Sequence, residues 1–202
     1  MLELIAINNP PNVGWPNPKP LNKWIQKLNL LTFNIMVKSP LRVRNFITNY
    51  TRYVHDIENY GLSEHWPGSA QEIEHILDNK MDDCDGVAIL SASILYSLSY
   101  INTGLALGYY GTDPEGSKTV GANHAYTLDL TYIEDPRIIE CTGNDTIDVL
   151  PLLSDSHAYN TLMVATVDNV YVSGYWKEKY INEEKLVLQN ISINNDHSIT
   201  AV

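Results

Sequence analysis

Residues 84–100, Cys-Asp-Gly-Val-Ala-Ile-Leu-Ser-Ala-Ser-Ile-Leu-Tyr-Ser-Leu-Ser-Tyr, constrain the fold more than any other stretch. They predict a helix that is small-sided and apolar nearly all round. Such a helix belongs in the centre of a core, because no face of it suits water. The remainder of the 202 residues is enough to surround it with one domain, with or without an arm.

Helical signals precede this segment and strand signals follow it. Ser39 can cap a helix over 40–60, with Pro40 in the first helical position and Gly61 at the end. Val43, Phe46, Ile47, Tyr50, Tyr53, Val54, Ile57 and Tyr60 recur along it at helical spacing. Ser69 and Glu72 have the spacing of a capping box ahead of a helix over 70–79. From Gly104 onward the pattern predicts strands over 105–110, 122–132, 137–141, 162–167 and 170–176, with Asp168-Asn169 as a hairpin turn. A last helix is expected over 177–189. Helices first and an antiparallel sheet afterwards make an α+β layout.

The first 38 residues read as an arm. A short strand over 2–8 is followed by five prolines within 9–20 and a short amphipathic helix over 21–30. The domain proper is expected over 39–190, and 191–202 as a tail. Charge divides along the same line. Residues 1–52 carry seven Lys or Arg against one acid, whereas 53–202 carry six against 23. Either the basic third packs on an acidic body, or it touches an anionic surface. No nucleic-acid-binding signature accompanies it, so nucleic acid is not an expected partner. No stretch is apolar for long enough to span a membrane and the start lacks a secretory pattern, so a cytoplasmic protein without a membrane partner is expected.

Two cysteines, Cys84 and Cys141, rule out a disulfide framework and a four-cysteine zinc site. Cys84 is either a small core residue or a nucleophile. Its place at a helix start favours the second, since the dipole and free N–H groups there stabilise a thiolate and a developing oxyanion. His124 opens a strand in which the residues in phase with it, Tyr126, Leu128 and Leu130, are large, so it should face the core or a cleft. An imidazole there can take a thiol proton. Glu140 lies on the next strand after Ile138 and Ile139. An acid among apolar neighbours needs a partner, and across an antiparallel pair it can reach the ring and fix its tautomer. Asp82, Asp83 and Asp85 around the cysteine do not fit an EF-hand loop, so they are expected to cap the helix, and neither metal nor cofactor is expected.

The segment Met81-Asp-Asp-Cys-Asp-Gly-Val-Ala-Ile-Leu resembles the Gly-Asp-Cys-Asp-Asp motif and apolar helix of the transglutaminase-like superfamily. Thr103-Gly-Leu-Ala-Leu-Gly-Tyr-Tyr, Asn123-His-Ala-Tyr-Thr-Leu-Asp and Glu140-Cys-Thr resemble its following strands. His65-Trp-Pro is similar to the lead-in of bacterial transglutaminase-like cysteine proteinases. The resemblance covers about residues 62–145. It implies a papain/transglutaminase-like core, with Cys84 as nucleophile, His124 as base and Glu140 as third member. Trp66, Asp83, Asp85 and Asn123 become candidates for the oxyanion site or the lining. The implied activity is thiol-dependent hydrolysis of an amide or peptide bond in a protein or peptide substrate. A cross-linking acyltransferase and a catalytically silent binding domain are the alternatives. Three departures stand out: Met81 or Asp82 replaces the usual Gly before the Asp, Gly86 replaces the second acid after the cysteine, and Glu140 replaces the commoner Asp.

Overall fold

The computed structural model describes residues 4–6, 17–37, 39–111, 124–156, 158–173, 191–193 and 199–201. The expected helix over 177–189 lies outside them. The described residues form α1 (Asn22–Lys27), α2 (Leu30–Met36), α3 (Pro40–Tyr50), α4 (Asp56–Asn59), α5 (Ala70–Asn79) and α6 (Cys84–Ser97). The strands are β1 (Leu4–Ala6), β2 (Arg52–Tyr53), β3 (Met81–Asp82), β4 (Thr103–Tyr110), β5 (His124–Asp129), β6 (Arg137–Ile139), β7 (Tyr159–Ala165), β8 (Val170–Ser173), β9 (Ile191–Ile193) and β10 (Ile199–Ala201).

The helix α6 is buried from Asp85 to Leu95 without a break, as its composition requires. It lies on an antiparallel sheet of order β1-β8-β7-β4-β5-β6. Leu105, Ala125 and Ile139 meet the helices in the larger core cluster, which also takes in Val43, Ile47, Ile73, Ile76 and Leu77. The Thr127 hydroxyl on β5 donates to the carbonyl of Ala88 on α6, 2.9 Å away, so sheet and helix are pinned as well as packed. Ala106, Tyr126, Leu128, Ile138 and Val164 form a second cluster, with Tyr159 packed against it. This is the expected α+β architecture, with the central helix carrying Cys84 and the sheet carrying His124 and leading into Glu140.

The 40–60 helix is corrected to two pieces. Its first part ends at Tyr50, where Thr51 turns extended and donates from its hydroxyl back to the Ile47 carbonyl. Arg52 and Tyr53 then pair in parallel with Met81 and Asp82. The backbone N–H groups of Arg52 and Val54 find the carbonyls of Lys80 and Asp82. A tertiary pairing overrides the helical period here, and it brings residues 52–66 alongside the start of α6. The other helix signals behave as read. Ser39 caps α3, and Ser69 and Glu72 close a full capping box on α5.

Residues 17–37 are built into the body. The backbone N–H groups of Lys19 and Leu21 donate to the hydroxyls of Ser93 and Ser97 on α6. Leu21 and Met36 are fully buried. Arg44 on α3 is buried too, and its guanidinium donates to the carbonyl oxygens of Glu140, 2.7 Å away, and Asp145. One of the seven basic residues of the first 52 thus holds the segment that follows β6.

Candidate active site

The helix start sets the geometry around Cys84. Asp83 is its N-cap, accepting from the N–H of Asp85 at 3.3 Å. Asp82 is wholly buried, accepting from the N–H of Asp83 and from the Tyr60 hydroxyl, each at 3.0 Å. Its carboxylate fills the space beside residue 86, where a Cβ would stand 2.2 Å from Oδ2. Glycine is therefore the residue that fits behind this cysteine.

Ala125, the residue after His124, lies in the core cluster against which Cys84 packs, and its backbone N–H favours the thiolate. Helix start and strand start thus meet at the thiol. His124 is mostly buried, and its Nε2 lies 2.6 Å from Glu140 Oε2. That pairing assigns Nε2 to the carboxylate and leaves Nδ1 for other chemistry. Among the described residues Glu140 has four donors: His124 and the Tyr159 hydroxyl (3.1 Å) on Oε2, and the Thr142 backbone N–H (2.8 Å) and hydroxyl (2.6 Å) on Oε1. Burial alone would raise its carboxyl, but the bonds from His124 and Thr142 outweigh it and hold the group below the usual carboxylate range.

The remaining candidates are placed as follows. The Trp66 indole N–H is engaged by Glu64 Oε1 at 2.8 Å, so it is turned to that acid rather than to a developing oxyanion. Asp83 is the cap. Asp85 is not a cleft-lining side chain: it is 1% exposed, with neither carboxylate oxygen meeting a donor. Asn123 lies outside the described residues. The sequence reading missed Tyr159, Thr142 and Arg44. Thr142 stood in the Glu140-Cys-Thr match without a role, whereas Tyr159 had no sequence signal at all.

The sequence reading also missed a cluster of acids behind the thiol. Carboxylate oxygens of Asp56, Glu64 and Asp85 all lie within 4.8 Å of one another, and those of Asp83 and Asp85 lie within that distance of the Cys84 sulfur. Asp56 is buried, accepting from the N–H of His65 on Oδ2 while Oδ1 has no donor. Burial, with Asp83 nearby, pushes Asp56 up to about 7, and burial pushes Asp82 to about 7 as well. Asp85 is likewise pushed well above the ordinary carboxylate range by burial, with Asp83 against it. An oxygen-only group of this kind suits a hard divalent cation, for which three orphaned, buried oxygens stand ready.

The cluster reverses one expectation. Burial first, then the charges of Asp83, Glu64 and Glu140, push the Cys84 thiol up to about 12 despite the N–H from Ala125. The helix start does not lower it, because burial, and after it the acids, outweigh the dipole.

No family model and no curated protein matches the chain. Among solved structures, Legionella pneumophila LapG in its calcium-bound form matches with a TM-score of 0.53 at 12% identity, over 75% of this chain and 85% of that one. The EGTA-treated form of the same protein gives 0.51 at 12% identity, over 77% and 87%. At this identity the likeness is one of fold, the papain/transglutaminase-like one. Among the described residues no helix is long and apolar enough to cross a membrane.

Proposed function

We propose that the chain is a thiol-dependent amide or peptide-bond hydrolase that works through Cys84, His124 and Glu140 and binds a divalent cation of the calcium kind beside the thiol. The observation that carries it is the 2.6 Å pairing of His124 Nε2 with a fully hydrogen-bonded Glu140, at the start of a strand whose next residue, Ala125, shares a core cluster with Cys84.

In this reading the thiol proton passes to His124 Nδ1, and the sulfur attacks the carbonyl carbon. The resulting oxyanion lies against the backbone N–H of Cys84 at the open end of α6. The imidazolium gives its proton to the leaving nitrogen as the carbon–nitrogen bond breaks, leaving a thioester on Cys84. Water, deprotonated by His124, then attacks the thioester, releasing a carboxylic acid and restoring the thiol. Glu140 keeps the proton on Nε2 throughout, so that Nδ1 stays the working nitrogen.

Asp56, Glu64 and Asp85 would hold the cation, with backbone carbonyls and water completing a shell of the usual size. The calcium-bound state of LapG, on the same fold, supports this reading, and the three orphaned oxygens support it from this chain's own side. When bound, the cation supplies positive charge that offsets the acids around the thiol. The raised thiol favours a second reading, a silent binding domain on the same fold.

Reaction of the native protein with iodoacetamide at pH 7.5 in calcium, followed by intact mass, separates the two. An enzyme labels at Cys84 faster than the denatured chain, loses that advantage in His124→Ala, and cleaves members of a peptide-amide panel that Cys84→Ala leaves intact. Labelling at the denatured rate, with no cleavage, would assign the silent domain.

A further inference from the structure

Glu140 is one methylene longer than the Asp usual in such a triad, so something must fix its reach. Oε2 has two donors, His124 Nε2 at 2.6 Å and the Tyr159 hydroxyl at 3.1 Å. Tyr159 comes from β7, which is separated from β5 by β4, so phenol and carboxylate reach towards each other across two strands. The sheet is shaped for this. The β4–β7 register shifts between Leu107 and Gly108, and a Cβ at Gly108 would stand 2.2 Å from the Asn160 carbonyl oxygen. The bulge thus draws β7 in beside Gly108, which pairs with His124 on its other side. The Tyr159 ring is fixed by an edge-on contact with Tyr126 at 4.9 Å and by Tyr110 at 5.0 Å. Tyr126 in turn is tied through its hydroxyl to Thr161, 2.7 Å away.

We infer that Tyr159 is a positioning residue for the His124–Glu140 pair: its hydroxyl fixes Oε2 against Nε2 and keeps the carboxylate from drawing the ring proton to itself. The inference rests on the proposed triad. Two consequences follow from donor count alone. With the hydroxyl present, the negative charge on Oε2 is shared between two donors, and the carboxylate is a weaker base towards the imidazole. Without it, Oε2 has His124 as its one donor, the ring N–H is held by a stronger base, and the protonated ring is favoured. Thr142 acts on Oε1, the other oxygen, so it sets the carboxylate's rotation without meeting His124 directly.

The test is Tyr159→Phe, which keeps the ring contacts with Tyr126 and Tyr110 and deletes the hydroxyl alone. The readout is the His124 ring in nitrogen-detected NMR across pH. Among the described residues, the ionisable groups against that ring are Glu140, just past β6, and Tyr110, Tyr126 and Tyr159 on the sheet. The expected result is an upward move of the His124 midpoint by roughly half a unit to one unit, the scale of one charge-assisted bond shared between two donors, with a downfield move of the Nε2 proton. Thr142→Ala, which removes the hydroxyl bond on Oε1, should move the midpoint less. A His124 midpoint and Nε2 proton in Tyr159→Phe matching those of the native protein would overturn the inference, provided the Tyr126 ring signals show the cluster intact. If that variant loses the cluster, Tyr159→(4-fluorophenylalanine) repeats the deletion with a ring of near-native size. The NMR readout does not depend on Cys84 chemistry. Failure of the enzyme reading, seen as iodoacetamide labelling at the denatured rate, is therefore distinguishable from failure of this one.

Discussion

Asp85→Asn should stabilise the protein in EDTA and abolish most of the stabilisation that calcium gives it. The native side chain is 1% exposed and neither oxygen has a donor, while oxygens of Asp56 and Glu64 lie within 4.8 Å of it. In EDTA at pH 8 the native protein must either ionise this group among other acids or hold it protonated, and both cost stability. An unsatisfied buried acceptor costs about 1–3 kcal/mol. The asparagine amide removes the charge and offers two N–H donors to the acids facing it. For a chain of this length each 1 kcal/mol moves the melting temperature by about 2–4 °C, so the variant in EDTA should melt about 3–8 °C higher than the native protein. Calcium at 100 times its dissociation constant adds about 2.7 kcal/mol to a protein that binds it. The native protein should therefore rise by roughly 5–10 °C in calcium, whereas the variant, which has lost a charged ligand, should rise little. Differential scanning fluorimetry of both proteins, in EDTA and in millimolar calcium, reads all four values. The reasoning is refuted if the variant melts below the native protein in EDTA, or if calcium raises both equally.

Asp56 and Asp82 both sit near 7, well above their ordinary 3.8, so the folded state takes up protons that the unfolded chain releases. Their ionisation cost is absent below pH 4, grows as pH rises and is complete above about 7. In EDTA the melting temperature should therefore fall between pH 5 and pH 8, and a rise over that window would contradict the burial argument. Gly86→Ala places a methyl within 2.2 Å of Asp82 Oδ2, and should cost about 1–3 kcal/mol by overpacking, measured by urea unfolding. An unchanged midpoint would show that Asp82 moves freely. Glu140→Ala orphans His124 Nε2, the Tyr159 hydroxyl and the Thr142 N–H together; it should lower stability by about 1–3 kcal/mol and slow Cys84 alkylation at least ~10-fold. Native-like alkylation in that variant would remove Glu140 from the site.

Local chemistry was legible in the sequence where one segment carried the whole signal. The burial of α6, the caps at Ser39 and Ser69 and the strand that starts at His124 each follow from residues within a few positions of one another. The pairing of His124 with Glu140 was legible because an acid after two buried isoleucines needs a partner and the adjacent strand offers one. Illegible were the features assembled from distant segments. The helix from 40 breaks at Thr51 because the Lys80 and Asp82 carbonyls compete for the next N–H groups. That break is what brings Asp56 and Glu64 to Asp85. Helical periodicity over 40–60 concealed it, and with it the acid cluster. Tyr159 reaches Glu140 only because a bulge at Gly108 resets the register of β7. Arg44 belongs to a basic third read as packing on an acidic body or touching an anionic surface, and it is buried and bound to carbonyl oxygens rather than to acids.

The sign of the field at Cys84 decides whether the site works, and magnitudes decide the sign. A helix start contributes about half a positive charge, typically worth 0.3–1 kcal/mol to a neighbouring anion and up to ~2 in partly buried geometry. Against it, burial and the charges of Asp83, Glu64 and Glu140 move the thiol from 9 to about 12. That is about 4 kcal/mol, so the dipole loses. The imidazolium formed when His124 takes the thiol proton is one cation that would offset this. A divalent cation bonded to an Asp85 oxygen at about 2.4 Å would be another. Oxygens of Asp85 and the Cys84 sulfur belong to a group within 4.8 Å, so that charge would stand no farther than about 7 Å from the sulfur. At an effective dielectric of ~20, two charges at that distance contribute about 5 kcal/mol, enough to reverse the shift. Alkylation of Cys84 at pH 7.5 should therefore run at least ~10-fold faster in calcium than in EDTA. Asp85→Asn should label alike in both, since it retains the fold but not the charged ligand. Equal native rates in the two buffers would mean that the acids are already neutral around the thiol, and that the cluster serves the fold rather than the sulfur.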